Sequence, residues 1–200
     1  MAHKENKPQN WFDSDEKFNS LYPPQIQQVA KKHWTPLEVA KQAAAFIAIS
    51  PDEKVLDIGS GAGKFCLTAA HYHPHVPIYG IEQRAELVDL CNGLKEKLQL
   101  DNVNFIHGNI SLMQLDAYDH FYFYNAFYEN VTGTEKIDDN IVYSEKLYDY
   151  YNRYLYRQLD KKPQGTRLVT YHSFGSEVPP GFTLLSSGFD DYLKFWVKEK

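Results

Sequence analysis

An aspartate closes an apolar run and is followed by glycines at every second position. The stretch KVLDIGSGAG, residues 54–63, places Asp57, Gly59, Gly61 and Gly63 in this order. Glycine adopts positive φ without steric cost and carries no Cβ, so a turn built from it lets another group approach the backbone closely. A carboxylate at the head of such a turn attracts a cationic group and repels an anionic one. A second acid, Glu82, ends the segment PIYGIE 25 residues after Asp57. Its oxygens can accept charge-assisted hydrogen bonds from hydroxyl donors.

Glycine turns after a strand serve several ligands. A phosphate loop requires G-x-x-x-x-G-K-[ST]. Gly63-Lys64 supplies the GK pair, but Ile58 stands where the first glycine belongs and Phe65 replaces the hydroxyl that would bind magnesium. That pattern fails. A dinucleotide fold uses G-x-G-x-x-G, and Lys64 occupies the third glycine position. That pattern is weakened rather than removed, because nicotinamide folds also carry an acid where Glu82 stands.

These residues need elements to hold them. KVLDIG (54–59) reads as a strand, KFCLTAAHYH (64–73) as a helix, VPIYGIE (76–82) as a strand, and 84–98 as a helix with Leu87, Leu90, Cys91, Leu94 and Leu98 at helical spacing. NVNFIHG (102–108), HFYFYN (120–125) and TRLVTYHSF (166–174) supply three more strands. A helix capped by Ser144 runs to about Leu159. FTLLSS and DYLKFWVKE lie too close together for a parallel crossover and form an antiparallel hairpin. Upstream, Thr35 is placed to cap a helix, with Pro36 at its first position and Glu38 completing a capping box. Alternating strands and helices predict an α/β fold with a seven-stranded, mostly parallel sheet between helical layers and an antiparallel edge hairpin.

The pattern Asp57-x-Gly59-x-Gly61-x-Gly63, within VLDIGSGAGKFCLTAA, resembles the first motif of the class I S-adenosylmethionine-dependent methyltransferases. The resemblance covers roughly residues 35–200 and implies a Rossmann-like three-layer sandwich. Residues 1–34 then form an N-terminal helical extension, with Phe18, Tyr22 and Pro23-Pro24 in a lid over the cofactor. The resemblance implies that Asp57, Gly59, Ser60, Gly61 and Gly63 wrap the amino-acid end of S-adenosyl-L-methionine, and that Glu82 and Gln83 meet its ribose. Asn109 and Ile110 would hold the adenine, the Asn109 carbonyl standing in for the family's usual aspartate. Trp34 and Thr35 lie where related enzymes cover the cofactor. After the fourth strand, amino-methylating members carry Asn-Pro-Pro-Tyr or a close variant; this chain has Asn125-Ala126-Phe127-Tyr128. The match makes Asn125 and Tyr128 the catalytic candidates, with Asn125 also against the cofactor, Tyr124 beside them and Glu129 a weak candidate base. The two missing prolines leave the methyl acceptor open among protein, small molecule and nucleic-acid base, a nitrogen nucleophile included.

The bulk composition narrows the alternatives. A formal net charge of −5 disfavours an extended nucleic-acid surface, and the compact basic pairs Lys31–Lys32 and Lys161–Lys162 read as solvated helix ends. Cys66 and Cys91 form no CxxC pair and read as buried thiols in a reducing cytoplasm. His71, His73 and His75 alternate at a helix end without a carboxylate beside them and read as surface histidines rather than metal ligands. The polar N-terminus has no apolar signal core, and no apolar run is long enough to span a membrane. Two rivals to a methyltransferase remain, an NAD(P)-binding Rossmann oxidoreductase and a module that binds S-adenosylmethionine without catalysis.

Overall fold

The computed structural model describes residues 10–200; the polar start, residues 1–9, lies outside them. Three short helices come first among the described residues: α1 (Asp15–Asn19), α2 (Pro24–Gln28) and α3 (Ala30–His33). They are followed by α4 (Leu37–Ile47), β1 (Val55–Ile58), α5 (Lys64–Tyr72), β2 (Ile78–Glu82), α6 (Ala85–Leu98), β3 (Val103–His107) and β4 (His120–Tyr124). The chain ends with α7 (Glu145–Asp160), β5 (Arg167–Tyr171), β6 (Phe182–Gly188) and β7 (Leu193–Lys198). The seven strands form one sheet in the order β3-β2-β1-β4-β5-β7-β6. Every pairing from β3 across to β5 is parallel, and β7 runs antiparallel between β5 and β6.

Period-two alternation within the strands divides the core in two. Val55, Ile78, Tyr122 and Val169 face one cluster with Ala40, Ala44 and Ile47 of α4 and Phe65 and Ala69 of α5. Leu56, Ile58, Phe121, Phe123 and Leu168 face the other with Tyr151, Leu155 and Leu159 of α7. Both faces of the inner strands are therefore covered, as a parallel sheet requires. Ser144 caps α7 by accepting from the Leu147 N–H at 3.2 Å, as its sequence context predicts.

The start of α4 differs from the predicted capping box. Thr35 does not cap it; its hydroxyl instead pairs with the Tyr122 hydroxyl at 3.0 Å. The Leu37 N–H is met by Asp15 from α1 at 3.0 Å, so a tertiary contact replaces the local one. The same α1 is tied to α5, because Lys64 donates to Asn19 at 2.9 Å and pairs with Asp15. Phe12, Phe18, Tyr22 and Trp34 pack into the cluster that contains α4 and α5. Phe12 also stacks on His71, with ring centroids 3.9 Å apart. Among the described residues no helix is long and apolar enough to cross a membrane.

Candidate functional site

From β1 the chain moves outward through β2 and β3, then returns to place β4 on the other side of β1. At such a reversal the crossovers leave in opposite directions and open a crevice beyond the carboxyl ends of the strands. A cavity of about 530 Å³ lies there. Gly59 and Gly61 line it from the turn after β1, Glu82 and Gln83 from the end of β2, Asn109 and Ile110 from the end of β3, and Asn125 and Tyr128 from the segment after β4. Thr35, Asp57 and Ser60 line a recess of about 30 Å³ that shares His33, Trp34, Gly59 and Tyr124 with the larger cavity. Gly63 lines neither, since it precedes α5 and faces inward toward Cys91 and Phe105.

The glycines make the turn possible in two ways. Gly59, Gly61 and Gly63 all have positive φ, at 75°, 52° and 76°. Their missing side chains also admit neighbours of the chain itself. A Cβ on Gly59 would stand 2.3 Å from the Ala126 Cβ, and one on Gly61 2.5 Å from the Trp34 ring. The turn's N–H groups have internal partners: Gly59 and Ser60 donate to the Ile81 carbonyl, Gly63 to the Ser60 carbonyl, and Gly61 to Glu82 at 3.1 Å. Gly61→Ala is therefore expected to lose about 1–3 kcal/mol of stability from left-handed strain alone, with displacement of Trp34 in addition. Thermal unfolding and tryptophan fluorescence read the two effects together; an unchanged midpoint with unchanged emission would contradict this packing.

Asp57 is buried at the head of the turn. One oxygen accepts the Cys66 thiol at 3.3 Å. Burial pushes its pKa up to about 8, and Glu82 adds repulsion. Beside it the Ser60 hydroxyl is buried without a hydrogen-bond partner. A buried acid with no cation and an unpartnered buried hydroxyl leave polar capacity that internal structure does not use and that an ammonium-bearing ligand could.

Glu82 is buried and accepts from three donors. Its two oxygens take the Gly61 N–H and the Arg84 N–H, and the Arg84 guanidinium reaches it at 3.4 Å. Burial raises its pKa while Arg84 and the two N–H groups oppose that rise. Arg84 has no place among the residues expected from sequence, although an arginine two residues after a functional acid is a visible signal. Its side chain also donates to Glu129 at 3.0 Å through each carboxylate oxygen, to Asp138 at 2.9 Å and to the Tyr143 hydroxyl at 2.7 Å.

Asn109 sits at the end of β3 with its carbonyl already occupied. That oxygen accepts the Ser111 N–H at 2.9 Å and the Ser111 hydroxyl at 2.8 Å, while the amide donates to Tyr151 at 2.7 Å. The same amide also reaches the Gln83 side-chain carbonyl at 3.5 Å, so both ends of the Asn109 side chain have internal partners, the carbonyl expected to accept from an adenine amino group among them. Ile110 adds apolar wall to the cavity.

On the β4 side, Asn125 adopts φ 39°, a left-handed conformation that a non-glycine residue takes at a cost and that asparagine tolerates best. His172, at the end of the adjacent β5, has φ 51°. Its ring stacks on Tyr192 with centroids 4.3 Å apart, and burial lowers its pKa. Both residues line the cavity. Tyr128 pairs with the exposed Phe174, ring centroids 6.0 Å apart. Tyr124 does not point a free hydroxyl at the cavity; it donates to the Lys32 carbonyl at 3.0 Å. Glu129 is engaged by Arg84 and by the Ile137 N–H at 2.6 Å. The N-terminal segment closes one wall: Tyr22 donates to the Ala62 carbonyl and the Trp34 indole N–H to the Ile26 carbonyl, both at 3.0 Å.

Comparisons with known proteins agree with this architecture. A family model described as a methyltransferase domain matches residues 49–180, well over half of the chain. A tRNA (guanine-N(7)-)-methyltransferase of Synechococcus sp. (strain JA-3-3Ab) is 44% identical over 57 residues, which cover 28% of this chain and 24% of that protein. A 23S rRNA (uracil(1939)-C(5))-methyltransferase of Shewanella sediminis is 34% identical over 73 residues, 36% of this chain and 16% of that protein. The chain thus matches about a quarter or less of the length of these curated relatives. Among solved structures, an RNA methyltransferase from Salinibacter ruber in complex with S-adenosyl-L-homocysteine superposes with a TM-score of 0.57 at 20% identity, covering 83% of this chain and 94% of that one. A precorrin-6y C5,15-methyltransferase from Geobacter metallireducens gives a TM-score of 0.57 at 14% identity, covering 86% and 93%. These likenesses show a shared fold. The chain belongs to the methyltransferase-domain family, the class I S-adenosylmethionine-dependent methyltransferases with a Rossmann-like sheet.

Proposed function

We propose that the crevice binds S-adenosyl-L-methionine and that the chain transfers its methyl group to an acceptor entering over Asn125 and Tyr128. The observation that carries this reading is the pair of buried acids, Asp57 and Glu82, at the carboxyl ends of neighbouring strands. Asp57 has no cation partner, and Glu82 meets the only guanidinium at the site among the described residues. Such a pair suits a cationic amino acid joined to a ribose and repels the pyrophosphate of a dinucleotide. Asp57, Ser60 and Thr35 would hold the amino-acid end, Glu82 and Gln83 the ribose, and Asn109 and Ile110 the adenine. The N-terminal helices, through Trp34, would exclude water from the donor. The donor supplies an activated methyl, and the chain's task is alignment, for which Asn125 is held in its left-handed conformation.

On the acceptor side we propose a nitrogen of a planar base. Tyr128 lines the cavity and pairs with the exposed Phe174, and the curated relatives are named for tRNA and rRNA methylation. Two unpaired buried thiols, Cys66 and Cys91, suit a cytoplasmic setting.

Calorimetry with S-adenosylhomocysteine and with NAD(P) tests the cofactor, and transfer of labelled methyl to tRNA, rRNA, protein and small metabolites tests the acceptor. Micromolar binding of S-adenosylhomocysteine without NAD(P) binding, and label in RNA, are expected. NAD(P) binding without S-adenosylhomocysteine binding would overturn the cofactor assignment. Label in protein or metabolites alone would overturn the base acceptor, and S-adenosylhomocysteine binding without transfer to any of the four would favour a non-catalytic module.

A further inference from the structure

Arg84 stands where the end of β2 meets the long connection after β4, and only 4% of it is exposed. Its guanidinium serves two groups of acceptors. On the pocket side is Glu82, reached at 3.4 Å, the longest of its contacts. On the other side are Glu129, Asp138 and the Tyr143 hydroxyl, at 2.7–3.0 Å. The last two belong to residues 131–143, which contain no helix or strand. Beyond Arg84, Glu135 pairs with the exposed Lys32 and Ile137 packs against the cluster that contains α4 and α5. Tyr143 donates to the Asp138 carbonyl at 2.8 Å, the Ile137 N–H goes to Glu129, and Thr134 bonds back to Tyr128 and Val131. Gly133, Thr134, Glu135 and Ile137 nevertheless line the cavity. Arg84 is thus the buried polar anchor of a cavity wall that local backbone structure does not hold.

We infer that Arg84 is a positioning residue that couples ribose binding at Glu82 to docking of residues 131–143 over the pocket, an inference that rests on the cofactor assignment above. The exchange is between hydrogen bonds. Glu82 already accepts two backbone N–H groups, so a ribose diol needs acceptor capacity that the weak 3.4 Å contact now occupies. A hydroxyl donating there releases that guanidinium N–H and leaves Arg84 bonded to Glu129, Asp138 and Tyr143. One terminal nitrogen faces both Glu129 oxygens and the Tyr143 hydroxyl while Nε faces Asp138, so two separate guanidinium nitrogens keep the group oriented toward the segment while this happens. Occupied ribose and docked segment therefore favour one another, and by linkage each stabilises the other equally.

Trypsin cleavage at the exposed Lys136, followed by mass spectrometry, reads docking directly, and calorimetry with S-adenosylhomocysteine reads binding. In the full-length wild type, saturating S-adenosylhomocysteine is expected to slow cleavage at Lys136 at least fivefold. In an Asp138→Asn/Tyr143→Phe variant, which leaves the Arg84–Glu82 and Arg84–Glu129 contacts in place, the protection is expected to vanish and affinity to fall severalfold. Arg84→Met is expected to lose the protection and at least tenfold in affinity; because it leaves acids buried without their partner, the surface double variant is the deciding one. If the wild type binds S-adenosylhomocysteine but Lys136 is cleaved equally with and without it, the coupling is wrong. Full protection in the double variant would refute it equally. A wild type that binds no S-adenosylhomocysteine instead removes the cofactor assignment itself, so the two failures are separate.

Discussion

Glu82→Gln is expected to weaken S-adenosylhomocysteine binding by one to two powers of ten and to lower the thermal midpoint of the unliganded protein. The first effect follows from the charge: a hydrogen bond to an ionised group contributes about 1.5–3 kcal/mol, which is the stated fold-range. The second follows from the geometry. One oxygen of Glu82 faces the Arg84 N–H and the other faces the Gly61 N–H. An amide has one carbonyl oxygen only, so whichever way the introduced glutamine turned, its NH₂ would point at a backbone donor. A buried donor left without an acceptor costs about 1–3 kcal/mol. Arg84 keeps Glu129 and Asp138 in the variant, so the loss stays local. Calorimetry and thermal unfolding separate the two quantities. A variant that binds like the wild type while melting lower would leave Glu82 as a structural acid and remove it from the ribose site.

The stability of the unliganded protein is expected to fall, relative to Asp57→Asn, as the pH rises from about 4 to about 8. Asp57 has its pKa raised by burial to about 8, against an ordinary carboxylate value of 3.8. A raised carboxylate contributes stability while it is protonated in the native state; the unfolded chain loses its proton first. The contribution is therefore complete below the ordinary value and is lost as the pH passes through the raised one. The slope approaches about 1.4 kcal/mol per pH unit, the value for one proton, and levels off above the native pKa. The substituted amide cannot ionise and should show no such loss, while other titrating groups largely cancel in the comparison. A ligand ammonium beside Asp57 reverses the preference for the neutral acid. S-adenosylhomocysteine affinity should then rise with pH over the same window in the wild type and stay flatter in Asp57→Asn, with proton release detected by calorimetry in buffers of different ionisation enthalpy. Parallel stability curves for the two proteins would show that Asp57 is ionised in the unliganded state.

Much of the scaffold was legible because its signals are local. The apolar strands, the stripe of Tyr151, Leu155 and Leu159 on α7 and the Ser144 cap each depend on neighbours within a few residues, and the short spacing of the last two strands forbids a parallel crossover. The start of α4 was not legible for the opposite reason. Thr35, Pro36 and Glu38 satisfy every local rule for a capping box, yet Asp15 from α1 supplies the cap and Thr35 turns to Tyr122. Where a distant side chain can satisfy the same N–H, tertiary contact overrides local preference.

The site divides along the same line. Asp57, Gly59, Gly61 and Glu82 are written into the sequence because each element end projects its residues into the crevice by chain geometry alone, whereas Gly63 turns inward against Cys91 and Phe105. The roles of their atoms are not. That Ala126 and Trp34 fill the space above Gly59 and Gly61, that the Asn109 carbonyl is spent on Ser111, and that Tyr124 and Glu129 are committed elsewhere are matters of which groups meet across the fold. Periodicity and backbone freedom are local properties, so the linear chain already carries the order of strands and helices and the acidic glycine turn that marks a methyltransferase domain. It took folding to bring Arg84 from the end of β2 against Glu129, Asp138 and Tyr143, more than forty residues away. Buried charges are partnered by proximity in space, and the chain's linear order does not record it.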